Sequence, residues 1–302
     1  MDLKSKIILI SGPTASGKSN LAVKLAKKIN GEIVNADSMQ VYKELKILTA
    51  RPKKKYQFGV KHHLYGFQSV KKNFSTGQWL KLVLKKIKEI RKKNKTPILV
   101  GGTGLYFKAL TQGLVKIPSI PIKLRNKVRN LQKKIGQKKF YQKLIKVDPF
   151  IIDLINPNDV QRSIRAYEVK KFTSVSLYDW FKKTKIIFNE DCFIKFYIEF
   201  SRSDLVNRIN LRTEEMLQDG AINEVRKFLR IKVKKENSSN KVIGIKEISD
   251  YLNNTIDLSE AKDQISIKTR QYAKRQTTWA RSQMKTWQKI DPKSINSLIK
   301  NF

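Results

Sequence analysis

The chain of 302 residues has one cysteine, Cys192, and two histidines, His62 and His63. A single thiol excludes an internal disulfide framework and argues against a cysteine-ligated zinc site. Adjacent histidines cannot share one face of a helix or strand, so they make a poor metal pair. No apolar run approaches the roughly 20 residues that span a bilayer. Ile7-Ile8-Leu9-Ile10 is too short for the core of a secretory signal, and a cytoplasmic protein without a membrane anchor is expected. Acids are scarce as well: 25 Asp and Glu stand against 64 Lys and Arg, a formal charge of +39. Only 14 of the basic residues are arginine, a skew that suits a lysine-rich proteome. The size of the imbalance still predicts a polyanionic partner. A membrane surface fits less well, because no basic amphipathic tail or lipidation motif is present. Internal repeats and low-complexity tracts are missing too. Apolar residues make up 40% of the chain, enough for one large core or two smaller ones.

What is present begins with Gly12-Pro13-Thr14-Ala15-Ser16-Gly17-Lys18-Ser19, which reads G-x-x-x-x-G-K-[ST]. The apolar Ile7–Ile10 run predicts a buried strand before it. Leu21, Ala22, Leu25, Ala26 and Ile29 recur behind it at helical spacing. Strand, glycine loop and helix together form a phosphate-binding loop. Its backbone N–H groups converge on an anion at the positive end of a helix. Lys18 adds a point charge, and the Ser19 hydroxyl is placed to ligate Mg²⁺.

A second strand is predicted at residues 32–36, delivering Asp37-Ser38-Met39-Gln40 at its carboxyl end, where open α/β sheets bind ligands. Asp37 there is either a helix cap or a site residue. Residues 49–64 read as a basic, loop-rich stretch. Trp79, Leu80, Val83, Leu84, Ile87 and Ile90 predict an amphipathic helix over 77–94. Pro97–Val100 then forms a short strand entering the turn Gly101-Gly102-Thr103-Gly104, again followed by a helix. From about 111 to 191 strand signals fade and lysine-faced helical periodicity dominates. This predicts an α/β core, residues 1–111 and 192–302, interrupted by a helical insertion over 112–191. Within the insertion, Asn156–Asp159 signals a helix start. Arg162 and Arg165 share one face of that helix, suited to phosphates or simply solvated. Phe193–Phe200 returns to the sheet. Ser201-Arg202 opens a helix carrying Arg208 and Arg212 on one face. A long helix from Asp257 mixes Arg270, Arg275, Tyr272 and Trp279, a composition suited to nucleic acid or to a core.

In this order, the phosphate loop, Asp37-Ser38 before Gln40-Val41-Tyr42, Thr49-Ala50-Arg51-Pro52, Gly101–Tyr106, Asn158–Arg162 and Thr269–Gln276 resemble the tRNA dimethylallyltransferases, from about Ile7 to Trp287. The resemblance implies an α/β fold with a P-loop NTPase-like parallel sheet and an inserted helical domain. It implies transfer of a dimethylallyl group from dimethylallyl diphosphate to N6 of the adenosine immediately 3′ of the anticodon, in tRNAs reading codons that start with U. Gly12 to Ser19 would hold the diphosphate, with Mg²⁺ on Ser19. Asp37 would be the general base. Lys18, Thr14, Arg202 and Arg208 would complete the catalytic set, the arginines clamping the pyrophosphate. Asp37, Ser38, Met39, Gln40, Thr103, Arg125, Gln161, Arg162, Ser163, Ile164 and Arg165 would contact the anticodon stem-loop of the tRNA. A monomer is expected. Departures are small: Arg51 stands where lysine is common, and Ile245 where an aromatic is common.

The implied chemistry is coherent. Adenine N6 is a weak nucleophile, so attack on an allylic carbon needs a stabilised pyrophosphate leaving group and a carboxylate to accept the N6 proton. The adenine must leave its stack to reach such a site. A small-molecule kinase, an isopentenyltransferase acting on free adenine nucleotides, and a non-catalytic RNA-binding module are the rival readings of the same loop.

Overall fold

Short runs of branched apolar residues build a six-stranded sheet in the computed structural model, which describes Leu3, residues 5–300 and Phe302. The strands are β1 (Ile7–Ser11), β2 (Gly31–Asn35), β3 (His62–His63), β4 (Thr96–Gly101), β5 (Phe193–Ile198) and β6 (Gln288–Ile290). Their order is β3-β2-β4-β1-β5-β6, and every pairing is parallel. Parallel pairing requires long crossovers that cover both faces of the sheet. Ile8, Ile10, Ile33, Ile98 and Val100 pack on Leu21 and Leu25 of helix α1 (Lys18–Lys28). Leu9, Val34 and Leu99 alternate to the opposite face and are also fully buried. Two strands carry little local signal. β3 is two histidines and β6 begins Gln-Lys; only the ladder of a neighbouring strand extends them, at opposite edges of the sheet.

Helix α2 (Thr76–Arg91) starts on a capping box in which Ser75 accepts from the Gln78 amide, satisfying two backbone donors that the helix itself cannot. It buries Trp79, Leu80, Val83, Ile87 and Ile90. Trp79 stacks on Tyr106 of α3 (Gly104–Thr111) and donates its indole N–H to the Asn35 carbonyl at 2.9 Å.

Contacts divide the chain into two units, Met1–Thr111 with Phe188–Phe302, and Gln112–Ile187. The second unit is helical. It contains α4 (Ile122–Val147), α5 (Val160–Thr173) and α6 (Leu177–Lys182). Gly136, at φ 75°, interrupts α4. Phe140, Tyr141, Leu144, Ile164 and Tyr167 form this unit's own apolar core. Asp159 caps α5 by accepting from the Arg162 amide at 2.9 Å.

The first unit resumes with α7 (Arg202–Gln218), α8 (Ala221–Arg230), α9 (Ile245–Leu252), α10 (Leu258–Gln283) and α11 (Ile295–Lys300). Asp257 caps α10 through the Glu260 amide. Among the described residues no helix is long and apolar enough to cross a membrane.

Glu32 of β2 is 2% exposed, and one imidazole and two lysines surround it. His63 Nε2 lies 2.6 Å away, Lys95 Nζ 3.3 Å and Lys93 Nζ 3.6 Å. The group ties edge strand β3 and the turn before β4 to the sheet. Burial alone would raise the Glu32 pKa, but hydrogen bonds from His63 and Lys95 prevail and hold it below the ordinary carboxylate value. Burial depresses His63, with Glu32 opposing, so the imidazole is neutral at pH 7 and donates to the carboxylate. Both folded pKa values lie below the unfolded ones. Their stabilisation is therefore complete above about pH 6.5 and is lost as pH falls, first through the histidine range and then below about 4.3. Glu32→Gln should cost about 2 kcal/mol at pH 7 and flatten the acid limb of a urea-midpoint profile between pH 8 and 4. An unchanged midpoint at pH 7 would remove Glu32 from the stabilising set.

Candidate active site

The loops at the carboxyl ends of β1 and β2 line a cavity of about 450 Å³. The loop after β1 forms its floor. Gly17, at φ 78°, takes a left-handed conformation that turns the chain into α1, a position that favours glycine. Ala15 also sits at positive φ, 63°, a modest strain of the kind that persists where surrounding structure enforces it. Thr14 to Ser19 line the cavity. Gly12 and Pro13, expected in the same anion site, are buried and do not line it; Gly12 lines the smaller cavity described below. The Ser16 hydroxyl is buried and has no hydrogen-bond partner among the described residues, so the loop retains an unused polar group.

Lys18 bonds the Pro13 carbonyl at 3.0 Å. Burial pulls its pKa down to about 8, the Asp37 charge opposing and the Arg212 charge adding to the fall. Arg212 reaches in from α7 and donates to the Thr14 hydroxyl at 2.5 Å. Arg208 donates Nε–H to the Ala15 carbonyl at 2.7 Å and stacks over Phe200. Arg202, the first residue of α7, is exposed and does not line the cavity.

The loop after β2 presents Asp37. Asn35 fixes its backbone, donating to the Asp37 carbonyl at 2.9 Å and accepting from the Asp37 amide at 2.9 Å. Asp37 Oδ1 accepts from the Met39 amide at 2.9 Å and the Gln40 amide at 3.4 Å. This is a turn, not a helix cap, and the second oxygen, Oδ2, makes no protein hydrogen bond among the described residues. Met39 and Gln40 also line the cavity. Gly101 permits the close approach of β4: a Cβ there would lie 2.0 Å from the Ala36 carbonyl oxygen.

A smaller cavity of about 240 Å³ shares Tyr272 and Arg275 with the first. Ser38, Thr103, Gln276 and Trp279 line it. Thr103 Oγ1 accepts from the Ser38 amide at 2.9 Å and contacts Ser38 Oγ at 3.2 Å. Burial, then the Asp37 charge, pushes the Tyr272 phenol well above its ordinary range, so it stays a neutral hydroxyl. Gln276 bridges two loops. Its Oε1 accepts from the Thr14 amide at 2.8 Å and its Nε2 donates to the Gly102 carbonyl at 2.9 Å.

Arg125, Gln161, Arg162, Ser163, Ile164 and Arg165 belong to the helical unit. Gln161 and Arg162 are exposed, and Arg162 lies 3.4 Å from Asp159. Ser163 and Ile164 are buried in that unit's core. Arg125 and Arg165 turn to Glu168. Sequence reasoning gave no role to Arg212 or Gln276. The four-residue step from Arg208 to Arg212 along α7 was the available signal for the arginine. Gln276 lies in the quoted block 269–276, but no local pattern marks its two-loop bridge.

Residues 40–283 match the IPP transferase family. A tRNA dimethylallyltransferase of Pelagibacter ubique (strain HTCC1062) is 65% identical over 302 residues, covering 100% of this chain and 96% of that one. Among solved structures, the tRNA isopentenylpyrophosphate transferase of Bacillus halodurans has a TM-score of 0.70 at 33% identity, covering 98% of this chain and 95% of that one. A eukaryotic dimethylallyltransferase acting on tRNA has a TM-score of 0.82 at 30% identity, covering 95% of this chain and 73% of that one. Matched along most of its length by the family and along all of it by the Pelagibacter relative, the chain belongs to the IPP transferase family.

Proposed function

We propose that the protein transfers a dimethylallyl group from dimethylallyl diphosphate to N6 of the adenosine immediately 3′ of the anticodon of tRNA. The supporting observation is one cavity whose lining sets four cationic side chains, Lys18, Arg212, Lys241 and Arg275, and a phosphate loop against a single acidic residue among the described residues, Asp37. A kinase reading accounts for the loop. It does not account for the apolar wall beside it, made by Met39, Leu48, Ile209, Met216, Val242 and Ile265. That wall suits a five-carbon prenyl tail. The family match and the tRNA-modifying relatives support the same acceptor.

The diphosphate would lie on the loop amides with Lys18, Arg208 and Arg212 around it. Preorganised cations and N–H groups stabilise charge as it develops on the leaving group. Adenine N6 attacks C1 of the dimethylallyl group, the C1–O bond breaks, and its electron pair leaves with pyrophosphate. The N6 proton passes to Asp37 Oδ2. Tyr272 and Trp279 would wall the flipped base in the smaller cavity, keeping water from the allylic centre. Gln276 would hold the donor loop and the Gly101–Gly104 turn at a fixed spacing.

Mg²⁺ fits this donor set. The Ser19 hydroxyl supplies a hard oxygen atom. The described residues contain no cluster of three or more His, Cys, Asp or Glu that could hold a metal. An ion held by few protein ligands, with diphosphate oxygens and water completing the shell, is the usual arrangement for Mg²⁺. When bound, it would neutralise charge on the departing pyrophosphate. The helical unit, with Arg125 and Arg165, would bind the anticodon stem-loop. The protein would act in the cytoplasm as a monomer.

The direct experiment mixes protein, Mg²⁺, labelled dimethylallyl diphosphate and an anticodon stem-loop with adenosine next to the anticodon, beside a control with that base changed. Label on the adenosine loop alone is expected. Label on free AMP, or ATP hydrolysis without any transfer, would overturn the proposal.

Asp37→Asn should lower single-turnover transfer by about 10²–10⁴-fold while leaving donor affinity nearly intact; transfer at the unaltered rate would remove Asp37 as the base. The donor kcat/KM should fall as pH rises through about 8, where free-enzyme Lys18 loses its proton, and Lys18→Ala should abolish that limb. Arg212→Ala should weaken donor binding more than Arg202→Ala does, read by competition with pyrophosphate. Equal losses would mean that α7 moves Arg202 into the site.

A further inference from the structure

The helical unit buries one carboxylate among guanidiniums. Glu168 of α5 is 2% exposed at its side chain. Its neighbours on α5 (Ile164, Ala166, Tyr167 and Val169) belong to the apolar core. A desolvated carboxylate is costly unless cations and hydrogen bonds compensate it. Here three arginines do so. Arg125 Nε lies 3.6 Å and Arg165 Nη1 3.5 Å from Glu168 Oε2, and Arg129 Nε lies 3.9 Å from Oε1. Arg125 and Arg129 are four apart on α4, hence on one face. Arg165 and Glu168 are three apart on α5.

Two features separate this cluster from an ordinary ion pair. The first is stoichiometry: one negative charge faces three positive ones, which leaves a surplus of two. The second is geometry. The three distances exceed normal hydrogen-bond length. Arg125 Nε and Glu168 Oε1 are buried without a hydrogen-bond partner among the described residues. The three arginine side chains remain about 40% exposed, at 40%, 38% and 41%. Glu168 thus gathers the guanidiniums without saturating them. Each has five donors and accepts nothing. Like charges held this close favour an added anion, and planar guanidiniums match phosphate oxygens in pairs.

We propose that Glu168 is a positioning residue that organises Arg125, Arg129 and Arg165 into a cradle for backbone phosphates of RNA on the helical unit. The inference rests on the tRNA reading above and deepens it. It gives roles to Arg129 and Glu168, and makes Arg125 and Arg165 act as one site. RNA is the chosen ligand because the chain carries a charge of +39 and phosphodiesters are the planar-recognised polyanion that such a charge attracts.

The test has a sign that separates positioning from plain electrostatics. Glu168→Gln removes a negative charge, so charge alone predicts tighter RNA binding. Positioning predicts the reverse: Kd for the anticodon stem-loop should rise by about tenfold, with the loss falling on the KM for RNA rather than on kcat. Arg129→Ala should lower the slope of log K against log salt by about one unit. Circular dichroism and thermal unfolding of each variant report folding. Tighter or unchanged binding by folded Glu168→Gln overturns the inference. If that variant does not fold, an unchanged salt slope for Arg129→Ala overturns it instead. Wild-type protein that binds the stem-loop but transfers no prenyl group removes the transferase reading and leaves the cradle standing. Wild-type transfer with both variants unaffected removes only the cradle.

Discussion

Four cationic side chains, Lys18 and Arg212 at their centre with Lys241 and Arg275, line a cavity with one carboxylate, and much of the first unit holds that arrangement. Lys18 and Arg212 repel each other in surroundings where water screens poorly. Lys18 donates to the Pro13 carbonyl and Arg212 to the Thr14 hydroxyl. Asp37 is the one acidic residue lining the cavity among the described residues. Positive charge in the lining therefore exceeds negative charge. The proposed diphosphate would balance that surplus beside the loop after β1. Parallel strands make this possible because their carboxyl ends bring the loops after β1, β2 and β4 to one edge. Gly101 against Ala36 and Asn35 against Asp37 then fix the distances.

In a chain this poor in acids, the buried and partly buried ones act as organisers. Glu32 ties an edge strand to the sheet. Glu224 accepts from the amides of Lys46, Ile47 and Leu48 and so shapes the loop leading to Thr49. Glu247 accepts from the Gly244 amide and pairs with Lys268 of α10. Glu168 gathers three arginines. Each spends its charge on several donors. The surplus of positive charge stays at the surface, available to a polyanion.

Much of the first unit was legible because its signals are local. Ile7–Ile10 before a glycine loop, the Trp79-to-Ile90 stripe and the Asp257 cap each lie within one element, and each element formed within a few residues of its expected limits. Strands β3 and β6 were not legible. Two histidines, or Gln-Lys-Ile, acquire strand conformation only from the ladder beside them. The site divides the same way. The phosphate loop and Asp37 sit on contiguous motifs. The bridge from Gln276 to Thr14 spans 262 positions, and no periodicity encodes it.

The sequence by itself determined the chemistry on offer: a phosphate loop behind a buried strand, an acid at the next strand's end, and a positive charge too large for a small anion. These follow from residue type and short spacing, which the backbone fixes through helical and strand periods. Only the tertiary structure decided which arginine of α7 enters the cavity, which glutamine braces two loops, and that Ser163 and Ile164 pack in a core while Arg125, Arg129 and Arg165 converge on Glu168. The physical reason is that a helix presents several faces, and its sequence does not say which neighbour each face will meet. That choice is made when whole elements pack and buried charge must find its partners.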